Sequence, residues 1–131
     1  MDFSAMCPKY EIAAEILSHR WTCLILRSLV EAPRRSSEIT AYVPGLSDRL
    51  LSERLQDLET VEIVQRRVLA QRPVLITYSL TDKGMDLRRV MEALQEWADR
   101  WVRSDQEKRS PDKGVRRPTI GADAAPALPK P

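Results

Sequence analysis

The sequence predicts a mainly helical α+β fold, on three observations. Apolar residues recur at helical spacing in five stretches, two β-branched runs read as a hairpin, and residues 105–131 carry five prolines and no aromatic side chain. At 131 residues the chain has the size of one domain, with material for a single modest core. Its 43% hydrophobic and 31% charged residues are the composition of an ordinary soluble protein. The richest apolar run, Trp21 to Val30, is broken by Arg27 and falls far short of the roughly 20 residues that a bilayer requires, so no membrane partner is expected. The start, MDFSAMCPKYE, lacks the basic opening and apolar middle of a signal peptide. The expectation is a cytoplasmic protein whose Cys7 and Cys23 are reduced at rest.

The first helix begins at Pro8, whose fixed φ and missing N–H suit a first helical position, and ends near Ser18, with Ile12, Ile16 and Leu17 on one face. The second, Trp21 to about Glu31, is apolar almost all round and is predicted as the buried central helix; Pro33 stops it. Ser36 or Ser37 caps a short third helix carrying Ile39 and Tyr42, after which Pro44 and Gly45 force a tight turn. Ser47 caps a fourth helix in which Leu51, Leu55 and Leu58 recur at i, i+4 and i+7, leaving Asp48, Arg49, Ser52, Glu53 and Gln56 outward. Two short helices joined by a glycine turn make a helix-turn-helix candidate. VQRRVL and VLITYSL, separated by AQRP, read as a hairpin with Arg72 and Pro73 near its tip. Thr81 with Asp82 opens a long last helix whose Leu87, Val90, Met91, Leu94, Trp97, Ala98 and Trp101 form a stripe spaced by threes and fours. The order is that of a winged helix-turn-helix with a two-stranded wing. Residues 105–131 cannot bury enough apolar surface to offset chain entropy and are expected to be a disordered, Pro- and charge-rich tail beyond a folded unit of residues 7–104.

The formal charge of +2 conceals how the charges are placed. Residues 105–131 hold six Lys/Arg and four Asp/Glu, which leaves residues 1–104 neutral, with fifteen of each. Within that neutral body Arg34, Arg35, Arg49, Arg54, Arg66, Arg67 and Arg72 fall between positions 34 and 72, while Glu92, Glu96 and Asp99 fall in the last helix. Such asymmetry points to a basic face for a polyanion.

Five local strings narrow the fold further: CP at 7–8, RWTCLILRSL at 20–29, PRRSSEI at 33–39, PGLSDRLLSERLQDLE at 44–59 and YSLTDKG at 78–84. Together, in this order and at this spacing, they closely resemble the HxlR family of bacterial regulators. The resemblance implies a winged-helix homodimer that binds double-stranded DNA at an inverted-repeat operator, with no cofactor, and whose terminal helices form the dimer. One departure stands out. In TVEIV the family usually has glycine where this chain has Glu62, at a helix end that takes positive φ, so a modest local penalty of about 1 kcal/mol or an altered helix end is expected.

A helix that enters the major groove needs side chains at its start that reach base edges, and the Ser47 helix supplies them. Arg49 is the leading candidate for a forked contact to guanine, with Ser47, Ser52 and Gln56 as further base or phosphate contacts. The competing reading of that face is a merely solvated helix surface. Arg34 and Arg35, just before the third helix, suit phosphates; Arg66, Arg67 and Arg72 belong to the wing, where strand alternation sends Arg66 and Arg67 to opposite faces. Leu94, Trp97 and Trp101 are assigned, with part of the first helix, to a two-fold interface. Cys7, beside the N-cap of the first helix, is a redox-sensing candidate, since unpaired N–H groups and the helix dipole favour a thiolate there, and several members of the resembled family sense oxidants or electrophiles through a cysteine in this CP context. Cys23 is expected to be a small buried core residue.

An enzyme is the contrasting class. The single histidine, His19, sits at a helix end, there is no glycine-rich phosphate loop, and two cysteines with one histidine match no zinc-site spacing, so no metal or cofactor is expected. A thiol peroxidase built on Cys7 would reveal itself by peroxide turnover without DNA. Two other readings keep the fold and change its use: a regulator answering to a non-thiol small molecule, and a protein-binding adaptor that does not bind DNA. Salt-dependent operator binding separates the adaptor from the regulators.

Overall fold

The computed structural model describes residues 1–103, which form α1 (Pro8–Ser18), α2 (Thr22–Leu29), α3 (Ser36–Tyr42), α4 (Asp48–Thr60), β1 (Val64–Leu69), β2 (Leu75–Leu80), α5 (Asp82–Met85) and α6 (Arg88–Trp101). Residue 104 and the Pro- and charge-rich stretch 105–131 lie outside the described residues. The core is built around α2, whose Ile25, Leu26 and Leu29 are fully buried against Ile39 of α3 and Leu51 of α4. At about 1.5–3 kcal/mol for each fully buried aliphatic side chain, this short helix gains from packing what its length denies it.

Several element boundaries differ from expectation, and α2 ends at Leu29 rather than near Glu31. Trp21 does not open α2 but precedes it in a left-handed conformation, φ 76° and ψ −15°. With Thr22 N–H donating to His19 C=O at 3.1 Å, it occupies the third position of a type II turn that reverses the chain between α1 and α2. Burial of the indole, with the Arg20 guanidinium 4.8 Å from its ring, offsets the strain of a non-glycine residue there. Arg54 fixes the same turn from α4, its Nε donating to Arg20 C=O at 2.9 Å. Nor is the last helix continuous. Its first turn, α5, is capped by Thr81, whose Oγ1 accepts from Gly84 N–H at 3.0 Å. Gly84 is jammed against the backbone, since an added Cβ would stand 2.1 Å from Ile63 C=O. Leu87 N–H then bonds back three residues to Gly84 C=O, 3.1 Å, and α6 restarts at Arg88 on a new course that lets Leu87 and Met91 reach the core.

The third helix is capped differently from the expectation. Arg35, not Ser36 or Ser37, is the N-cap residue, and its backbone N–H donates to the Glu38 carboxylate at 2.9 Å. That bond and the Arg35 side chain hold the Glu38 carboxyl below its ordinary range. Gly45 supplies the positive φ, 86°, of the turn into α4.

The wing is an antiparallel pair with Val64 opposite Leu80 and Leu69 opposite Leu75, so β2 starts one residue later than VLITYSL suggested. Arg34 adds a single-residue third strand: its N–H and C=O bond to Tyr78 at 2.9 and 2.8 Å. Cys23, expected in the core, is only half-buried; its thiol donates to Leu17 C=O at 3.6 Å.

Glu62 adopts φ 61°, the left-handed conformation that its position implied. Ile63 N–H reaches Leu58 C=O at 2.9 Å and Glu62 N–H reaches Glu59 C=O at 3.0 Å, a Schellman closure of α4 in which Ile63 and Leu58 are both buried. The helix end is therefore regular, and the cost falls on the backbone of Glu62. Glu62→Gly is expected to raise stability by about 1 kcal/mol, a shift of about 4 °C or more in Tm, checked by thermal and urea unfolding. An unchanged or lowered midpoint would mean that the residue carries no strain.

Candidate nucleic-acid interface

The exposed side of α4 is the centre of the site. Ser47, in extended backbone, caps the helix by accepting from Leu50 N–H at 3.2 Å, and Asp48 places negative charge in the first turn, where the helix dipole favours it. Leu51, Leu55 and Leu58 are buried, which fixes the rotation of the helix and turns Ser47, Arg49, Ser52 and Gln56 to solvent. Arg49 has a side chain 88% exposed, held only by Glu53 one turn on at 3.4 Å. An exposed pair of this kind contributes at most about 1 kcal/mol, so the guanidinium can leave it for a stronger acceptor at little cost.

Around α4 the predicted basic residues separate into two kinds. Arg35 is exposed and paired only with Glu38 at 3.3 Å, and Arg66, Arg67 and Arg72 are exposed, their side chains making no ion pair or hydrogen bond among the described residues. The register puts Arg66 opposite Tyr78 and Arg67 opposite Thr77, so the two arginines do point to opposite faces of the wing. Arg54 and Arg34 are engaged within the fold instead. Arg54 spans from α4 to Arg20 and pairs with Asp57 at 3.3 Å. Arg34, expected as a phosphate contact, is half-buried, donates Nε to Ser28 C=O and lays its guanidinium 5.2 Å from the Tyr42 ring. No local pattern distinguishes it from Arg35 next door; only the pairing with Tyr78, 44 positions away in sequence, turns one inward and leaves the other out. Tyr42, whose hydroxyl also accepts from Arg27 at 3.3 Å, is the residue that reading by helical face alone undervalues.

Two further features flank this surface. On α6, Leu94, Trp97 and Trp101 are 53%, 56% and 51% exposed, whereas Leu87 and Met91 of the same stripe pack on the core. Among the described residues, therefore, nothing covers the distal part of the stripe. At the other end, Cys7 is the exposed N-cap residue of α1; its carbonyl accepts from Glu11 N–H at 3.0 Å, and its side chain makes no cap hydrogen bond. No group of three or more His, Cys, Asp or Glu side chains among the described residues is arranged to hold a metal ion, and no described helix is long and apolar enough to cross a membrane.

The family model for HxlR-like helix-turn-helix proteins matches residues 16–106, a span that begins after Cys7. The chain is 47% identical over 102 residues to the HTH-type transcriptional regulator YvaP of Bacillus subtilis, covering 78% of this chain and 94% of that one. It is 45% identical over 98 residues to the HTH-type transcriptional regulator YodB of the same organism, covering 75% and 88%. The reduced form of YodB superposes with a TM-score of 0.67 over 75% of this chain and 96% of the solved one, and the diamide-treated and quinone-bound forms with 0.63. The redox regulator HypR in its oxidised form superposes with a TM-score of 0.67 at 28% identity, over 72% of this chain and 96% of that one.

The two thiols differ enough to be told apart chemically. Burial pushes the Cys23 thiol up, whereas Cys7 is open to solvent. Maleimide labelling at pH 8, followed peptide by peptide with mass spectrometry, is expected to modify Cys7 several times faster than Cys23, the difference vanishing in urea. Equal rates in the folded protein would place the Cys23 sulfur in solvent.

Proposed function

From the premise that this chain belongs to the HxlR-like helix-turn-helix family, we propose that it is a cytoplasmic, sequence-specific DNA-binding transcription regulator, working as a homodimer on an inverted repeat. The observation that carries this reading is the face of α4, where a capped, rotationally fixed helix offers Ser47, Arg49, Ser52 and Gln56 to solvent between the exposed Arg35 and a wing bearing Arg66, Arg67 and Arg72. Arg49 forks onto a base edge, most simply guanine O6 and N7, while Arg35 and the wing arginines neutralise phosphates and set the register. The uncovered stripe of Leu94, Trp97 and Trp101 on α6 is the surface that a second copy covers, and two-fold symmetry of the protein is then mirrored in half-sites about one helical turn apart. Residues 7–104 are the functional unit. No enzyme chemistry and no cofactor is invoked.

The signal is assigned to Cys7. YodB is described in reduced, diamide-treated and quinone-bound forms and HypR as a redox regulator, and the exposed Cys7 of this chain offers the thiol that such a response requires. Cys23, half-buried within its own chain, is a poor partner, so oxidation leads to a disulfide with Cys7 of the second copy or with a small thiol.

Footprinting on a duplex selected from a random pool is expected to show two equal protected patches. Arg49→Ala will cost roughly 1–3 kcal/mol and relax preference at one base pair, whereas Arg35→Ala will weaken all sequences alike and flatten the salt slope by about one. Parent-like binding by both variants would put the DNA face elsewhere. Trp101→Glu is expected to shift the protein toward monomer in analytical ultracentrifugation and to weaken operator binding with it. A folded variant that stays dimeric would move the interface off α6.

A further inference from the structure

Arg34 is the only described residue whose backbone joins the wing while its side chain grips both α2 and α3. Its N–H and C=O are bonded to Tyr78 in the middle of β2. Its Nε donates to the carbonyl of Ser28 near the end of α2, and its guanidinium lies over the ring of Tyr42 at the end of α3, 5.2 Å from the centroid. Tyr42 is steadied in turn by Arg27 of α2, whose guanidinium donates to the phenol oxygen at 3.3 Å. Strand, central helix and first helix of the helix-turn-helix thus meet at one residue. Among the described residues nothing comparable ties down the rest of the wing, since β1 and β2 run out from Leu80 and Val64, buried at the base, to residues that are half-buried or exposed.

We infer that Arg34 is a positioning residue for DNA binding: it sets where the wing stands relative to α3 and α4 and touches no phosphate itself. The inference rests on the DNA-binding reading above. Its chemistry demands arginine rather than any cation. A planar guanidinium can stack on Tyr42 and still aim Nε at a carbonyl, whereas a lysine ammonium, a compact and strongly hydrated charge, cannot do both. That requirement separates positioning from phosphate contact, because a phosphate accepts lysine nearly as well as arginine, and because each neutralised phosphate adds about 0.9 to the dependence of log affinity on log salt. Arg35, adjacent in sequence and exposed, is the internal comparison.

The test measures binding of a fluorescent duplex, selected by the parent protein from a random pool, across a range of salt concentrations for the parent, Arg34→Lys, Arg34→Gln, Tyr42→Leu and Arg35→Gln. Thermal unfolding checks that each variant is folded. Arg34→Lys and Arg34→Gln are both expected to lose roughly tenfold in affinity for the selected site, the scale of one lost contact, with the salt slope unchanged. Tyr42→Leu, which removes the stacking partner and no charge, is expected to act in the same direction by a smaller factor. Hydroxyl-radical footprints of all three will keep the central protection from α4 and show the flanking protection from the wing displaced but not lost, because the wing arginines still meet phosphates. Arg35→Gln is expected to do the reverse, lowering the slope by about one and keeping the footprint. Parent-like binding by Arg34→Lys, or a slope lowered by about one in Arg34→Gln, overturns the inference while leaving the regulator reading intact. A parent that binds no duplex in a salt-dependent way overturns the regulator reading itself, and this inference with it. Should Arg34→Gln fail to fold, Arg34→Lys and Tyr42→Leu decide the question, and parent-like affinity in both overturns it.

Discussion

The burial of α2 is the constraint on which the other elements depend. Eight residues are too few to hold a helix in water, yet α2 touches α1, α3, β2 and α6. Ile25, Leu26 and Leu29 face inward with almost no exposure, and even its polar Thr22 and Ser28 are buried, Ser28 with its hydroxyl donating to Ile25 C=O at 2.6 Å. So short a helix is marginal without its neighbours, and α1 and α6 reach the body of the fold mainly through it. Its ends are therefore where the chain accepts strain and specific polar contacts: the left-handed Trp21 at one, the carbonyl of Ser28 receiving Arg34 at the other.

A second group of contacts transmits that fixed core to α4 and the wing. The Schellman end at Glu62 and the buried Ile63 send the chain straight from α4 into β1, and the same junction is clamped by residues far along the sequence. Thr81 Oγ1 donates to Glu62 C=O at 2.6 Å, Lys83 Nζ donates to Val61 C=O at 2.7 Å, and Gly84 lies against Ile63. Carbonyls left unpaired by the end of a helix are thus satisfied by the start of α5. The surface ion pairs, Arg49 with Glu53 and Arg89 with Asp86 among them, are exposed and add little to stability. Their value on α4 lies in keeping charged groups extended and available.

α6 has no buried residue at all, because its core contacts end at Met91 and nearly all of the remaining ten residues are exposed. Polar exposure on α4 and apolar exposure on α6 are opposite in character, and they divide the surface into the part proposed to meet phosphate and base edges and the part proposed to meet a second copy. Cys7 caps α1, whose Ile16 and Leu17 pack half-buried against the core, so a covalent change there would act on an element joined to the core mainly through that face.

Much of this was legible in the sequence because it is local. Pro8 and Ser18 bound α1, Ser47 caps α4, and the spacing of Leu51, Leu55 and Leu58 fixes its buried face. Each depends on interactions within a few residues, which periodicity and capping chemistry report directly. The resemblance carried by five short strings added the family. Tertiary structure alone decided the rest. It broke the last helix after Met85, because Gly84 is pinned to Ile63 while Leu87 must reach the core, and it left Cys23 only half inside. It also divided two adjacent arginines between fold and surface, since Arg34 finds its partners in Ser28, Tyr42 and Tyr78 whereas Arg35 finds only Glu38. Side-chain chemistry is the same at both positions; what differs is the long-range strand pairing that fixes which way each residue points, and no local pattern encodes that.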